Sequence, residues 1–449
     1  MLPQIVPTTF SFVDIFNICV FLFFTVFYSY QLFYIVEVLV SQKRKKRTAQ
    51  KQHKFAVMIA ARNEETTIAN LLHSLENQTY PRELYDIFVV ADNCTDSTAK
   101  ISRENGAIVF ERFNKGKVGK GFALDYAYQN IMNEYFDRGY EAFLVFDADN
   151  VLDPGFIEAM NVTYDNGAKA STSYRNSKNY ADNWISAGYG TWFIREAKFL
   201  SQARQDFNTN CAISGTGFFI AADVLKEAGG WKWHLLTEDI QFSAESAVMG
   251  RRIEYTPDAI LYDEQPTTFR DSWTQRERWA KGFYQVFARY ALNLIKGIFR
   301  NEKGHKFACY DMLMTVSPGM LLTLVVALFN AIIVFLGSMG VMSTGSMIAA
   351  SASSLVFCLL NYTSFMFVLG VVTTITEWDS FIAKPSQKIK YMFTFPFFMF
   401  TYIPIAIVAL FRKPQWKPIK HSVNVSIETL SNDKKKASSP DGIAVDLAA

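Results

Sequence analysis

The residues best suited to chemistry in this chain are small groups of acids that follow short apolar runs. Phe143-Leu-Val-Phe146 leads into Asp147-Ala148-Asp149. Residues i and i+2 of an extended chain project to the same side, so two such carboxylates can converge on one cation. Two bare carboxylates that close repel each other, and a divalent ion relieves the repulsion. D-x-D is common on its own, but its place between an apolar strand and Asp153-Pro154-Gly155 makes it more specific. Neither the five histidines nor the five cysteines show metal-ligand spacing. A metal here would therefore take oxygen ligands, which points to Mg or Mn.

Other groups carry two readings each. Thr237-Glu238-Asp239 follows the aromatic segment Trp231–Leu236. An acid beside apolar groups gains a raised pKa, which suits a general base for a hydroxyl nucleophile. The same triplet reads as a helix start, with Thr237 capping and the acids favouring the dipole. Asn63-Glu64-Glu65, after the run Phe55–Ala60, either lines a crevice at the carboxyl end of a parallel strand or opens a helix. Asp92 follows Ile87–Ala91 and can accept hydrogen bonds from a base or ribose, while Asp96 or Ser97 serves a turn and cap. Lys115-Gly-Lys-Val-Gly-Lys120-Gly121 is not a P-loop. Its glycine-spaced lysines before a helix suit an anionic diphosphate, or else form a flexible surface loop. Gln275-Arg-Glu-Arg278-Trp279 opens a further helix. An arginine there can stabilise a diphosphate leaving group and a tryptophan can stack on a sugar ring, although such pairs also serve surface packing.

These groups need a scaffold, and the strand-like runs Phe55–Ala60, Ile87–Ala91 and Phe143–Phe146 supply one. They alternate with helical stretches Thr67–Leu75 and Gly121–Met132, which predicts an α/β sheet with parallel strands over residues 48–283. The net charge of +3 is too small to argue for nucleic acid. The scattered, odd-numbered cysteines exclude a disulfide scaffold and suit a reducing compartment.

Half of the residues are hydrophobic, with 40 phenylalanines. Residues 12–40 exceed the roughly 20 needed to cross a bilayer. The basic run Lys43–Arg47 follows them, as expected of an uncleaved anchor whose following domain is cytosolic at the plasma membrane. Residues 284–300 mix apolar groups with Arg289 and Lys296, which predicts an amphipathic interfacial helix. Three hydrophobic blocks follow within 313–411, and a disordered tail is expected over 431–449. This topology does not close. One plus three spans would leave the basic segment Arg412–Lys417 outside, so either one block is re-entrant or interfacial or the positive-inside rule fails there.

Taken together, in this order from Phe55 to Gly282, the motifs resemble the family 2 glycosyltransferases. The resemblance is to the membrane-integrated branch that includes cellulose, hyaluronan and poly-N-acetylglucosamine synthases. It implies a Rossmann-like GT-A catalytic domain with α-helical transmembrane segments, and an inverting single displacement from a UDP-sugar. By motif match it puts Asp92 on the uridine, Asp147 and Asp149 on the metal and diphosphate, and Lys120 near the nucleotide, with Asn63 and Glu64 beside it. It makes Asp239 the base, and sets Gly215, Thr216, Gln275, Arg278 and Trp279 on the acceptor and pyrophosphate side. Many relatives carry Asp-Asp where this chain has Ala91-Asp92, so one carboxylate remains for the nucleoside. No R-x-x-x-R motif for a cyclic dinucleotide is evident in the tail. The resemblance implies a growing polysaccharide as acceptor, coupled to its passage through the membrane, with a glycolipid synthase acting on diacylglycerol or ceramide as the alternative. A transporter or a non-catalytic membrane scaffold is a third class, disfavoured by the intact motifs.

Overall fold

The computed structural model describes residues 11–41, 46–300, 306–317, 319–340, 345–412 and 423–438. Eight strands form one sheet: β1 (Phe55–Ala61), β2 (Tyr85–Asp92), β3 (Ile108–Arg112), β4 (Ala142–Asp147), β5 (Val151–Leu152), β6 (Ala170–Ser177), β7 (Phe218–Ala221) and β8 (Glu254–Asp263). Their order is β3-β2-β1-β4-β7-β6-β8-β5. The first four are mutually parallel, with β1 between β2 and β4. Successive β1 side chains alternate between two cores. Ala56 and Met58 join Phe88, Val145 and Leu124 on one face, and Val57 and Ile59 join Leu71, Leu75 and Leu144 on the other. Helices cover both faces, which is why these strands read as unbroken apolar runs.

The three strands expected from the sequence are parallel, but the whole sheet is mixed. β7 runs antiparallel to both β4 and β6. Its reversal is set just upstream, where Gly215 (φ 81°) and Gly217 (φ 65°) adopt left-handed conformations. A Cβ on Gly217 would lie 1.9 Å from Leu261 Cδ2, so only glycine fits that turn. The chain can thereby leave the site end of the sheet and run back along β4.

Among the described residues three helical segments are long and apolar enough to cross a membrane, Phe12–Val40, Met347–Thr376 and Pro385–Phe411, and Leu324–Ser338 is a shorter apolar helix. The first is two helices, Phe12–Tyr28 and Tyr30–Val40. Residues 284–300 are not a separate helix but continue one that begins at Phe269 and carries the Gln275 motif, Phe269–Arg300. Pro385–Phe411 is broken at Thr401, and 39% of its most apolar window is buried, against 6% and 11% in the other two.

Part of the expected disordered tail is a helix, Ile427–Ser438. Ile427 and Leu430, one turn apart, give an otherwise polar segment an apolar edge that packs on Val151 and Tyr262. Lys43–Lys45, Lys413–Lys417 and residues 439–449 lie outside the described residues.

Candidate active site

The carboxyl ends of β1, β2 and β4 open onto a cavity of 460 Å³. Asp92, Lys120, Asp147, Asp149, Glu238, Asp239, Gln275, Arg278 and Trp279 all line it. Beyond these the wall continues over Phe283, Val316, Phe398 and Ala406, on helices outside the sheet domain.

Asp147 ends β4 and is fixed by its backbone. Its N–H donates to Thr216 Oγ1 (2.9 Å) and Asn150 Oδ1 (3.2 Å), and Thr216 Oγ1 donates to Asn150 Oδ1 (2.5 Å). Lys120, first residue of the helix Lys120–Glu134, reaches Asp147 Oδ1 at 2.5 Å and Gly215 O at 2.8 Å. Burial works against its charge, but Asp147 and Glu238 outweigh burial and raise its pKa. That helix can start so close because Gly121 lacks a Cβ, which would sit 2.2 Å from Trp233 O. Asp149 accepts from Glu264 N at 3.1 Å, and Lys178 Nζ holds its carbonyl at 2.6 Å.

Glu238 and Asp239 occupy the first turn of Glu238–Met249. Burial pushes Glu238 up to about 8, with Lys120 opposing and Asp239 adding. Burial also raises Asp239, against hydrogen bonds from the backbone of Ile240 and Gly215 and the charge of Lys120. Burial lowers Arg278, although the charges of Glu238 and Asp147 oppose that shift. Gln275, Arg278 and Trp279 share one face of their helix, as i, i+3 and i+4 must.

Two expected site residues are placed differently. Asn63 does not line the cavity; in a left-handed conformation (φ 58°), its Oδ1 accepts from Thr95 N at 2.8 Å and ties the ends of β1 and β2 together. Thr216 lies beneath Asp147 and orients it without lining the cavity. Glu64 does line it. Asp92 reaches the wall paired with Arg112, whose NH1 meets Oδ1 at 2.5 Å.

Sequence reasoning missed Arg112, Arg175, Asp263 and Arg276. Arg112 and Asp263 are the last residues of β3 and β8, the same position that singled out Asp92 and Asp147. Arg175 pairs with Asp263 and donates to Ser214 O at 2.8 Å. Burial pushes Asp263 up to about 6, opposed by Arg175 and reinforced by Asp149. Arg276, buried on the opposite side of its helix from Arg278, donates to Thr401 Oγ1 (2.9 Å) and Phe398 O (3.2 Å). It thereby joins the motif helix to the break in Pro385–Phe411.

Among the described residues no cluster of three or more His, Cys, Asp or Glu could cage a metal. The donor set at Asp147 and Asp149 is two carboxylates. That fits a hard ion such as Mg or Mn, which completes its shell with phosphate oxygens and water.

Residues 53–282 match the family described as Glycosyltransferase like family 2. The probable glycosyltransferase YdaM of Bacillus subtilis is 27% identical over 54% of this chain and 58% of its own length. A beta-monoglucosyldiacylglycerol synthase of Nostoc is 26% identical over 59% of this chain and 56% of its own. A poly-beta-1,6-N-acetyl-D-glucosamine synthase of Staphylococcus epidermidis is 28% identical over 53% and 57%. The chain thus spans a little over half the length of the curated relatives it matches. A mannosyltransferase of Pyrobaculum calidifontis, solved with GDP-Man and Mn2+, aligns over 88% of this chain and 98% of its own at 14% identity and a TM-score of 0.47. With the family match running from the residues before β1 to the end of the Gln275–Trp279 motif, this chain belongs to the family 2 glycosyltransferases and carries their GT-A fold.

Proposed function

We propose that the chain is an inverting transferase that moves a sugar from a UDP-sugar to a hydroxyl of a growing polysaccharide held at the membrane. The observation that carries this reading is one cavity lined together by Asp92, Asp147, Asp239 and Trp279 and by residues of the apolar helices such as Phe398 and Ala406. Asp92 and Glu64 take the nucleoside side. Asp147 and Asp149 would hold Mg or Mn, which supplies Lewis-acid neutralisation of the diphosphate when bound. Lys120 and Arg278 flank the diphosphate and stabilise negative charge as it develops on the leaving UDP. Asp239, its carboxylate raised by burial, takes the proton from the acceptor hydroxyl as that oxygen attacks the anomeric carbon. A single displacement from the face opposite the diphosphate inverts the anomeric centre.

A second reading is a glycolipid synthase, favoured by the apolar wall of Phe283, Val316, Phe398 and Ala406 at the membrane end. Purified chain, stripped of metal and resupplied with Mg or Mn, is incubated with labelled UDP-glucose or UDP-N-acetylglucosamine and the products are sized. Ladders of saccharide support the polysaccharide reading. One-sugar lipids alone remove it in favour of the second, and no UDP release with any sugar nucleotide removes both.

The catalytic domain faces the cytosol, and chain parity supports a particular topology. Val423 N donates to Glu264 at 3.0 Å, so the chain after the last apolar block is back beside the catalytic domain. An even number of crossings must intervene. Gly319–Ser338 and Gly345–Thr376 cross out and back. Pro385–Phe411 touches the domain side at both ends, through Gln387 Nε2 to Ala181 O (3.1 Å) and Lys281 Nζ to Leu410 O (3.2 Å). It stays on the cytosolic face as a re-entrant element, in keeping with the positive-inside rule.

A further inference from the structure

β5 has only two residues and stands at the edge of the sheet, with β8 as its neighbour. Its ladder is two pairs, Val151 with Tyr262 and Leu152 with Leu261, too little to fix a strand unaided. Yet Val151 is fully buried. The carboxy-terminal helix Ile427–Ser438 covers it, closing Ile427 and Leu430 over Val151 and Tyr262. The residues ahead of that helix are tied down as well. Asn424 Oδ1 accepts from Asn70 Nδ2 at 2.7 Å, on the helix Ile68–Glu76, and Val423 N donates to Glu264 Oε2 at 3.0 Å.

These contacts flank one metal carboxylate. Asp149 lies two residues before Val151, and its Oδ2 accepts from the backbone N–H of Glu264, the residue that follows β8. The tail therefore grips both neighbours of Asp149, Val151 by packing and Glu264 by a hydrogen bond. Asp147 is fixed from elsewhere, by Thr216. We propose that residues 423–438 form a strap that sets Asp149 for the metal, although none of them lines the cavity. The inference rests on the metal reading of Asp147 and Asp149 above and adds a positioning element to it. Losing a group that orients a metal ligand costs roughly tenfold or more in metal affinity. Linkage makes the effect reciprocal: a strap that tightens the metal is itself tightened when the metal binds.

The test uses the full chain in lipid nanodiscs. Mn2+ binding is followed by electron paramagnetic resonance at saturating UDP, and UDP binding is measured separately without metal. Leu430→Asp puts a charge into the contact with Val151 and Tyr262. It is expected to weaken Mn2+ about tenfold and to leave metal-free UDP affinity within about twofold. Ile427→Ala, a milder cut at the same contact, should weaken Mn2+ to a smaller degree and serves if Leu430→Asp does not fold. In the wild type, Mn2+ with UDP should slow hydrogen exchange at the amides of Ile427–Ser438, and UDP alone should not. Unchanged Mn2+ affinity in the variants overturns the strap. An equal loss of metal-free UDP binding overturns it too, because the whole domain has then loosened. Wild-type chain that binds no Mn2+ in the presence of UDP overturns the metal reading and the strap with it.

Discussion

Two buried arginine–aspartate pairs brace the two halves of this molecule, and they are built differently. In the sheet half, Arg112 and Asn93 both donate to one oxygen of Asp92, at 2.5 and 2.9 Å, and Asp92 stands on the cavity wall. In the membrane half, Arg204 grips both oxygens of Asp311 at 2.7 and 2.8 Å, and the hydroxyls of Tyr30 and Tyr34 add donors at 2.9 and 2.7 Å. The first pair holds a carboxylate where a ligand can address it. The second uses its carboxylate fully, joining the amino-terminal helix, the catalytic domain and the helix Lys306–Val316. One turn on, Thr315 and Val316 line the cavity. Charge in the sheet half is arranged for binding, whereas charge in the membrane half is spent on assembly.

The largest effect is expected where the halves meet. Asp239→Asn should lower kcat about 10³-fold while leaving UDP affinity close to wild type, because the base acts on the acceptor hydroxyl and not on the nucleotide. Residual activity above a tenth of wild type would place the base elsewhere. Next come the two pairs themselves. Asp311→Asn leaves Arg204 buried opposite a neutral group and should cost about 3 kcal/mol, read as a lower unfolding temperature in detergent. Asp92→Asn keeps an acceptor oxygen for Arg112, so it should unfold closer to wild type but raise the donor KM about tenfold. If the two variants exchanged these outcomes, the distinction between a binding pair and an assembly pair would fail.

The same contrast explains what the sequence disclosed. The sheet half was readable because each of its acids ends an apolar run: Asp92 ends β2 and Asp147 ends β4, so local pattern alone placed them at the carboxyl edge. The mixed direction of the sheet was not readable, since β7 is four residues long and its reversal depends on left-handed glycines at 215 and 217. Asn63 misled for a related reason. Its neighbourhood was right, but its side chain closes a loop onto Thr95, a contact 32 residues away. In the membrane half the Gln275–Trp279 element was found by motif, yet Arg276 beside it gave no signal that it reaches Thr401, 125 residues on. Helix faces bring together residues that no local period connects, so the Arg204–Asp311 pair passed unnoticed. Parity was the exception: the sequence exposed the mismatch at Arg412–Lys417, and the docking of Val423 and Ile427 supports the proposed resolution.

The smallest effect tests the seam between the halves through Glu238. Burial pushes this carboxyl up to about 8, so it is neutral at pH 7 and gains its charge only as pH rises through 8. Asp239 beside it is also raised by burial, and must be ionised to accept a proton. The rate should therefore climb on the acid side at a pH above the ordinary carboxylate range of about 4. A second inflection near 8 should follow as Glu238 ionises beside Lys120 and Arg278 and weakens their hold on the leaving diphosphate. Glutamine copies the neutral acid in shape and polarity. Glu238→Gln should thus change kcat at pH 7 by less than about threefold, and remove the inflection near 8 while sparing the acid limb. A tenfold loss at pH 7, or an inflection that survives the substitution, would mean that Glu238 works as a charged group. The seam would then belong to the sheet half's style of poised charge, not to a neutral boundary between the halves.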